Sequence, residues 1–169
     1  STIELENNSG VAGLLIAGVS ESKSEKEGVF FYKHDELYKV VKPWGHELWI
    51  NGEHPDYALK QIFIKKGTKT SLQYHNFKQE TNLLLEGEAK LHFNTNSEKD
   101  LDDVVADDLG TKVLTPITAV DVTPGIIHRL EAITDILLYE VSTPHLNDVI
   151  RLQDDSKRKD GRLEEEHKA

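Results

Sequence analysis

The sequence predicts an all-β domain, an antiparallel barrel or sandwich. Three observations carry this expectation. Apolar and aromatic runs are short and closely spaced, turn signals built on Gly, Pro and Asn separate them, and no long stretch repeats apolar residues with the helical period. At 169 residues the chain is the size of one domain with a substantial core.

Taken in order, residues 1–28 read as an N-terminal arm, with an apolar run at Val11–Val19 followed by a polar linker. The run is too short to span a bilayer. Glu4 and Glu6 stand where a secretory signal would be basic, so a soluble cytoplasmic protein is expected. Residues 29–152 read as the β-barrel. Short strands are expected at Val29–Tyr32, Leu37–Val41 and Glu47–Ile50, the last closed by Asn51-Gly52. Tyr57–Lys65 alternates Leu59, Gln61 and Phe63 with Lys60, Ile62 and Ile64, the signature of a strand with two unlike faces. Two strands follow at about 71–75 and 80–86, then Lys90–Phe93 after the Gly87 turn. Asn94–Gly110 is an acidic loop whose spacing does not fit an EF-hand. Further strands are expected at Lys112–Leu114, Ala119–Val122, Ile126–Leu130 and Ile136–Val141. Pro144–Leu152 reads as a helical turn or a terminal strand. Residues 153–169 are almost wholly charged or polar and read as a frayed helix or disordered tail.

The formal net charge of -10 disfavours nucleic acid as a partner, since duplex binding needs a basic face. A phosphorylated small molecule needs only a local basic pocket. There are no cysteines, which excludes thiolate chemistry.

The stretch Gly67–Gly87 and the piece Thr123–Arg129 hold four candidate metal ligands: Gln73, His75, Glu80 and His128. Gln73 and His75 share one face of a strand, and Glu80 follows after a short turn. Imidazole nitrogens with carboxylate and amide oxygens suit a divalent ion, Zn first, with Mn, Fe, Co or Ni compatible. Without thiolates the set is unlike a structural zinc finger. Of the remaining polar groups, Lys60 is a buried cation if its face lines the barrel and a surface lysine if not. Lys78 lies in the loop at the barrel mouth. Strict alternation points Arg129 away from its neighbour His128, toward a salt bridge, unless the strand end is twisted. Trp44 is a sugar-stacking platform or a core residue, and Glu47 a general base or an exposed carboxylate. His34, His46, His54, His92, His145 and His167 match no ligand spacing.

Gly67–x7–His75–x4–Glu80–x6–Gly87 resembles the first cupin motif, and Pro124–His128 resembles the second. The usual first motif begins His-x-His. Gln73 in place of the first His is similar to the phosphomannose isomerases, in which Gln, His, Glu and a late His hold the metal. Lys42–Glu47 and His128-Arg129 also resemble the cupin domain of the type II enzymes, over about residues 38–142. The resemblance implies a jelly-roll cupin, a double-stranded β-helix, binding a divalent metal and a small sugar or sugar phosphate, and pairing as a homodimer. It implies mannose-6-phosphate isomerase-like chemistry, with Glu47, Lys60 and Arg129 as catalytic candidates. Trp44, Lys78 and Asn82 are the substrate-binding candidates. Thr81-Asn82 replaces the His-Trp expected after the ligand glutamate, which leaves the substrate open. Another sugar epimerase or isomerase, or a sugar- or metal-binding barrel without turnover, is the alternative.

Overall fold

The computed structural model describes residues 28–51, 54–94 and 109–167; Val11–Val19 and most of the acidic loop lie outside them. The described residues form two antiparallel sheets, one of five strands and one of six. In chain order the strands are β1 (Tyr38–Lys42), β2 (Gly45–Trp49), β3 (Ala58–Ile64), β4 (Leu72–Tyr74) and β5 (Glu80–Glu86). Next come β6 (Ala89–Phe93), β7 (Gly110–Leu114), β8 (Thr118–Val122), β9 (His128–Ala132), β10 (Ile136–Ser142) and β11 (Ile150–Gln153). One sheet runs β11-β4-β9-β6-β7 and the other β1-β2-β3-β10-β5-β8. Neighbours such as β3, β10 and β5 are far apart in sequence, so the chain passes repeatedly between the sheets, as in a jelly roll.

Alternation decides what each strand buries. In β3 the residues Ala58, Lys60, Ile62 and Ile64 face inward, and in β10 Ile136, Leu138, Glu140 and Ser142 do so. Lys60 therefore lies on the barrel-lining face. Register aligns the inward residues into rows across the larger sheet: Glu47–Ile62–Leu138–Leu84, then Trp49–Lys60–Glu140–Asn82, then Ala58–Ser142–Glu80. The aliphatic end of these rows packs with Trp44, Ala89, Leu114 and Ala132 in one core cluster. Each large aliphatic buried there contributes roughly 1.5–3 kcal/mol. The polar end forms the site.

Two glycines permit this packing. Gly87 turns β5 into β6 at φ 89°, and a Cβ there would overlap the Asp135 carbonyl oxygen. At Gly45 a Cβ would overlap the Phe63 carbonyl oxygen, so β2 approaches β3 more closely than any side chain would allow.

Three expectations need correction. Val29–Tyr32 belongs to no strand and its side chains are exposed. A four-residue apolar run fixes no strand when no sheet edge pairs with it. The strand expected at Ile126–Leu130 starts two residues later, at His128. The Pro124-Gly125 turn is drawn onto the preceding loop by a bond from Gly125 N–H to His75 O (2.7 Å), which delays the strand. The charged segment after Gln153 is neither frayed nor helical before Glu164. It folds back over β1 and β2 because its charges find partners: Arg158 pairs with Asp154 (2.9 Å) and Glu166 (3.3 Å), and Lys42 with Glu166 (2.6 Å). A 3-10 turn, Glu164–His167, ends it, with the His167 Nδ1 2.7 Å from the Tyr38 hydroxyl.

Candidate metal centre

His75 directly follows β4, Glu80 opens β5 and His128 opens β9, so the ends of three strands bring them to one place. One ligand atom from each lies within 4.8 Å of the others, and all three residues are buried. Their hydrogen bonds define which atoms are free. His75 Nδ1 is 2.6 Å from the Asp148 carbonyl oxygen, and His128 Nδ1 is 3.0 Å from the Ile126 carbonyl oxygen. A carbonyl only accepts, so each Nδ1 carries the proton, and in a neutral ring Nε2 is left as a bare lone pair. Those two nitrogens face a carboxylate: His75 Nε2 is 3.1 Å from Glu80 Oε1 and His128 Nε2 is 4.0 Å from Glu80 Oε2. His75 Nε2 and Glu80 Oε1 are buried without any hydrogen-bond partner despite their closeness. Lone pair facing lone pair in a buried site is unfavourable unless a cation sits between them. The donor set, two imidazoles and a carboxylate, therefore fits a divalent ion with open positions.

The second layer is as specific. The Asp148 carboxylate accepts the backbone N–H groups of Asn76 (2.9 Å), Phe77 (2.6 Å) and Lys78 (2.8 Å), while its own carbonyl orients His75. Burial raises the Asp148 pKa, but these three donors outweigh it and hold the carboxyl low. Asn82 Nδ2 donates to Glu80 Oε2 at 2.7 Å and fixes that carboxylate. Lys78 is buried, with Nζ 3.4 Å from Glu80 Oε1 and 3.0 Å from Glu140 Oε2. Burial alone would lower its pKa; Glu140 and Glu80 outweigh that and raise it well above the usual range. Burial likewise raises Glu80, yet the Lys78 ammonium outweighs it and holds the carboxyl well below its usual range. Burial dominates at His128 and lowers its pKa, which favours the neutral ring that a ligand must be.

The other sequence-predicted residues separate. Gln73 pairs in register with His128, but its Oε1 accepts from Ser71 Oγ at 2.6 Å and its side chain lines a neighbouring cationic chamber. Glu47 is not exposed. It is buried, 3.2 Å from Lys60 Nζ, and accepts from Trp49 Nε1 at 3.0 Å. Burial pushes its carboxyl up, but Lys60, Lys42 and the Trp49 N–H hold it down at about 2. Lys60 also lies over the Trp49 ring, 4.8 Å from its centroid. Arg129 points away from the site, as alternation requires. Its Nε donates to Thr70 O (2.7 Å) and its Nη2 to Asp155 Oδ1 (3.1 Å), which ties β9 to the C-terminal segment. Trp44 is buried in the aliphatic cluster and lines a cavity of about 90 Å³. Glu80, Asn82, His128, Glu47 and Glu140, with Thr70 and Thr118, supply the polar part of that cavity's wall. Glu140 and Asp148 were not singled out from the sequence. Glu140 had a signal, since it alternates inward with Ile136 and Leu138; Asp148 had none.

A family model described as "Mannose-6-phosphate isomerase C-terminal" matches residues 31–154. No curated protein sequence matches the chain. Solved structures share the fold at low identity. The capsular polysaccharide assembling protein CapF from Staphylococcus aureus is 19% identical with a TM-score of 0.57, over 73% of this chain and 33% of that one. KdgF from Halomonas sp. is 16% identical with a TM-score of 0.54, over 70% and 94% of the two chains. An RmlC-like cupin from Shewanella frigidimarina is 16% identical with a TM-score of 0.54, over 69% and 92%. The chain thus spans about a third of the CapF chain. Among the described residues no helix is long and apolar enough to cross a membrane. With a jelly roll, both motif regions on converging strands and the family match over most of the barrel, this chain belongs to the mannose-6-phosphate isomerase C-terminal family of cupins.

Proposed function

We propose that this cupin is a metal-dependent aldose–ketose isomerase of the mannose-6-phosphate isomerase type, acting on a sugar phosphate. The observation that carries the reading is the meeting of three buried ligand atoms, from His75, Glu80 and His128, beside a cavity. His75, Glu80 and His128 would hold the ion, Zn by preference for such N and O donors, with Gln73 as a fourth ligand only if it leaves Ser71. When bound, the ion supplies Lewis-acid stabilisation for the negative charge that an enediolate puts on the sugar oxygens. Lys78, kept protonated by Glu140 and Glu80, adds a fixed positive charge beside that point. Asn82 holds the Glu80 carboxylate in orientation. A base must take the carbon-bound proton, and a carboxyl held at about 2 is too weak for this, so Glu47 is set aside. Glu140 is the cavity-lining carboxylate left for the task. Ile62, Leu84, Leu91, Leu130 and Leu138 make much of the cavity wall aliphatic, which offers few partners for sugar hydroxyls. That one feature favours the second reading, a related sugar reaction or a binding barrel without turnover.

Two measurements test the proposal. Elemental analysis is expected to find one divalent ion per chain in wild type and loss of it in His75→Ala and His128→Ala. Full occupancy in either variant overturns the ligand assignment. Incubation of the metal-loaded protein with mannose 6-phosphate or fructose 6-phosphate in D2O, followed by NMR, is expected to show interconversion with deuterium entering at C2. Metal bound without interconversion of the two sugar phosphates selects the second reading.

A further inference from the structure

The cup has a second chamber, of about 80 Å³, next to the aliphatic cavity. The two share Trp44, Glu47, Thr70 and Glu140 in their walls, so one ligand could extend through both. Lys42, Lys60, Lys78, Arg151, Arg158 and Arg162 line the second chamber, against two carboxylates, Glu47 and Glu140. Several of these cations are matched. Lys60 has Glu47 at 3.2 Å, Lys78 has Glu140 at 3.0 Å, Lys42 has Glu166 at 2.6 Å, and Arg158 has Asp154 at 2.9 Å.

Arg151, on β11, differs. Its Nη1 donates to the carbonyl oxygens of Lys159 and Gly161, at 3.0 Å for the latter, which presets the plane of the guanidinium. Its Nε is buried and has no acceptor. Among the described residues no carboxylate lies at ion-pair distance from it. A buried charged donor without a partner is costly unless a ligand supplies the acceptor. The positive balance also grows once Glu80 serves an ion, because Lys78 then keeps Glu140 alone.

We infer that this chamber seats a phosphomonoester dianion, the phosphate of the sugar phosphate, with Arg151 as its principal donor and Lys78 and Lys60 facing it. The inference rests on the reading of the cup as the substrate site. A tetrahedral dianion accepts from several directions at once, as a wall of ammonium groups and one guanidinium edge requires; a carboxylate would use a single planar face. The C-terminal segment is then part of the binding site, since it supplies Arg151 and the carbonyls that orient it.

The test is calorimetric titration of inorganic phosphate into metal-loaded wild type and Arg151→Gln at constant ionic strength, with chloride and acetate as references. One phosphate site is expected in wild type, weakened roughly tenfold or more in Arg151→Gln, with metal content equal in both. Binding no tighter than chloride, tighter binding of acetate, or equal affinity in the variant overturns the inference. Should Arg151→Gln fail to fold, wild type is treated with phenylglyoxal and mapped by mass spectrometry. Phosphate is expected to slow modification of Arg151, and an unchanged rate overturns the assignment. A wild type that binds phosphate but no metal would sink the metal reading and leave this one standing.

Discussion

Glu47 and Lys60 are buried together, and the structure predicts what removing one of them does. Glu47→Gln keeps the shape and the acceptor for Trp49 Nε1 but leaves the Lys60 ammonium without its carboxylate at 3.2 Å. Breaking a buried pair on one side costs about 3–5 kcal/mol. The carboxyl gives an independent figure: held at about 2 against an ordinary 4.5, it contributes about 3 kcal/mol of stability at neutral pH. The two agree, and at this chain length they correspond to a drop in Tm of roughly 10 °C. The sign in pH follows from the depressed value. The contribution is fully present above pH 4.5 and is lost as pH falls toward 2, because the unfolded chain takes up the proton first. Urea unfolding of wild type and Glu47→Gln, at matched metal content between pH 7 and 3.5, is therefore expected to give a constant stability gap down to about pH 4.5 that narrows below it. Glu47→Gln combined with Lys60→Met is expected to recover much of the loss. A gap under about 1 kcal/mol, or one that changes between pH 6 and 7, would refute the reasoning and return Glu47 to the role of a base poised near neutrality.

Two more outcomes follow from the geometry. Asp148→Asn weakens the carboxylate clamp on the three backbone N–H groups of residues 76–78 and loosens the carbonyl that orients His75, so the metal dissociation constant should rise about tenfold in a chelator competition; an unchanged constant would show that the loop holds His75 without it. Gly87→Ala forces a side chain onto the Asp135 carbonyl at φ 89°, and urea unfolding should show a loss of at least about 2 kcal/mol, with a neutral result meaning that the turn has another way to close.

Much of the fold was legible because period-two alternation is local. β5 was read at its observed ends, and β3 within a residue of them, since neighbours along one strand alone decide what faces inward. The path of the segment after Gln153 is not legible in its composition, which counts charges without pairing them; Arg158 matches Asp154 and Glu166 only once the chain turns. The same limit applies to the site. His75, Glu80 and His128 were found by spacing, since two short motifs fix which strand ends carry them. Lys78, by contrast, reads as a loop lysine from the sequence, and its burial depends on Glu140, sixty-two positions away, lying 3.0 Å from its ammonium.

Glu140 shows why such pairs escape a linear reading. It stands opposite Lys60 on one side and Asn82 on the other because β10 lies between β3 and β5 in this register. A slip of one residue along β10 would turn Glu140 outward and bring Tyr139 or Val141 into the cup, leaving Lys78 with no carboxylate but Glu80. The charge pattern around the candidate ion is thus set by strand registers across the sheet. The lone-pair cluster that would hold the ion is set by the strand ends and by the carbonyls of Asp148 and Ile126 behind the two imidazoles. Substitutions that preserve every ligand but shift β10 should therefore disturb Lys78 and the substrate side of the cup before they disturb metal retention.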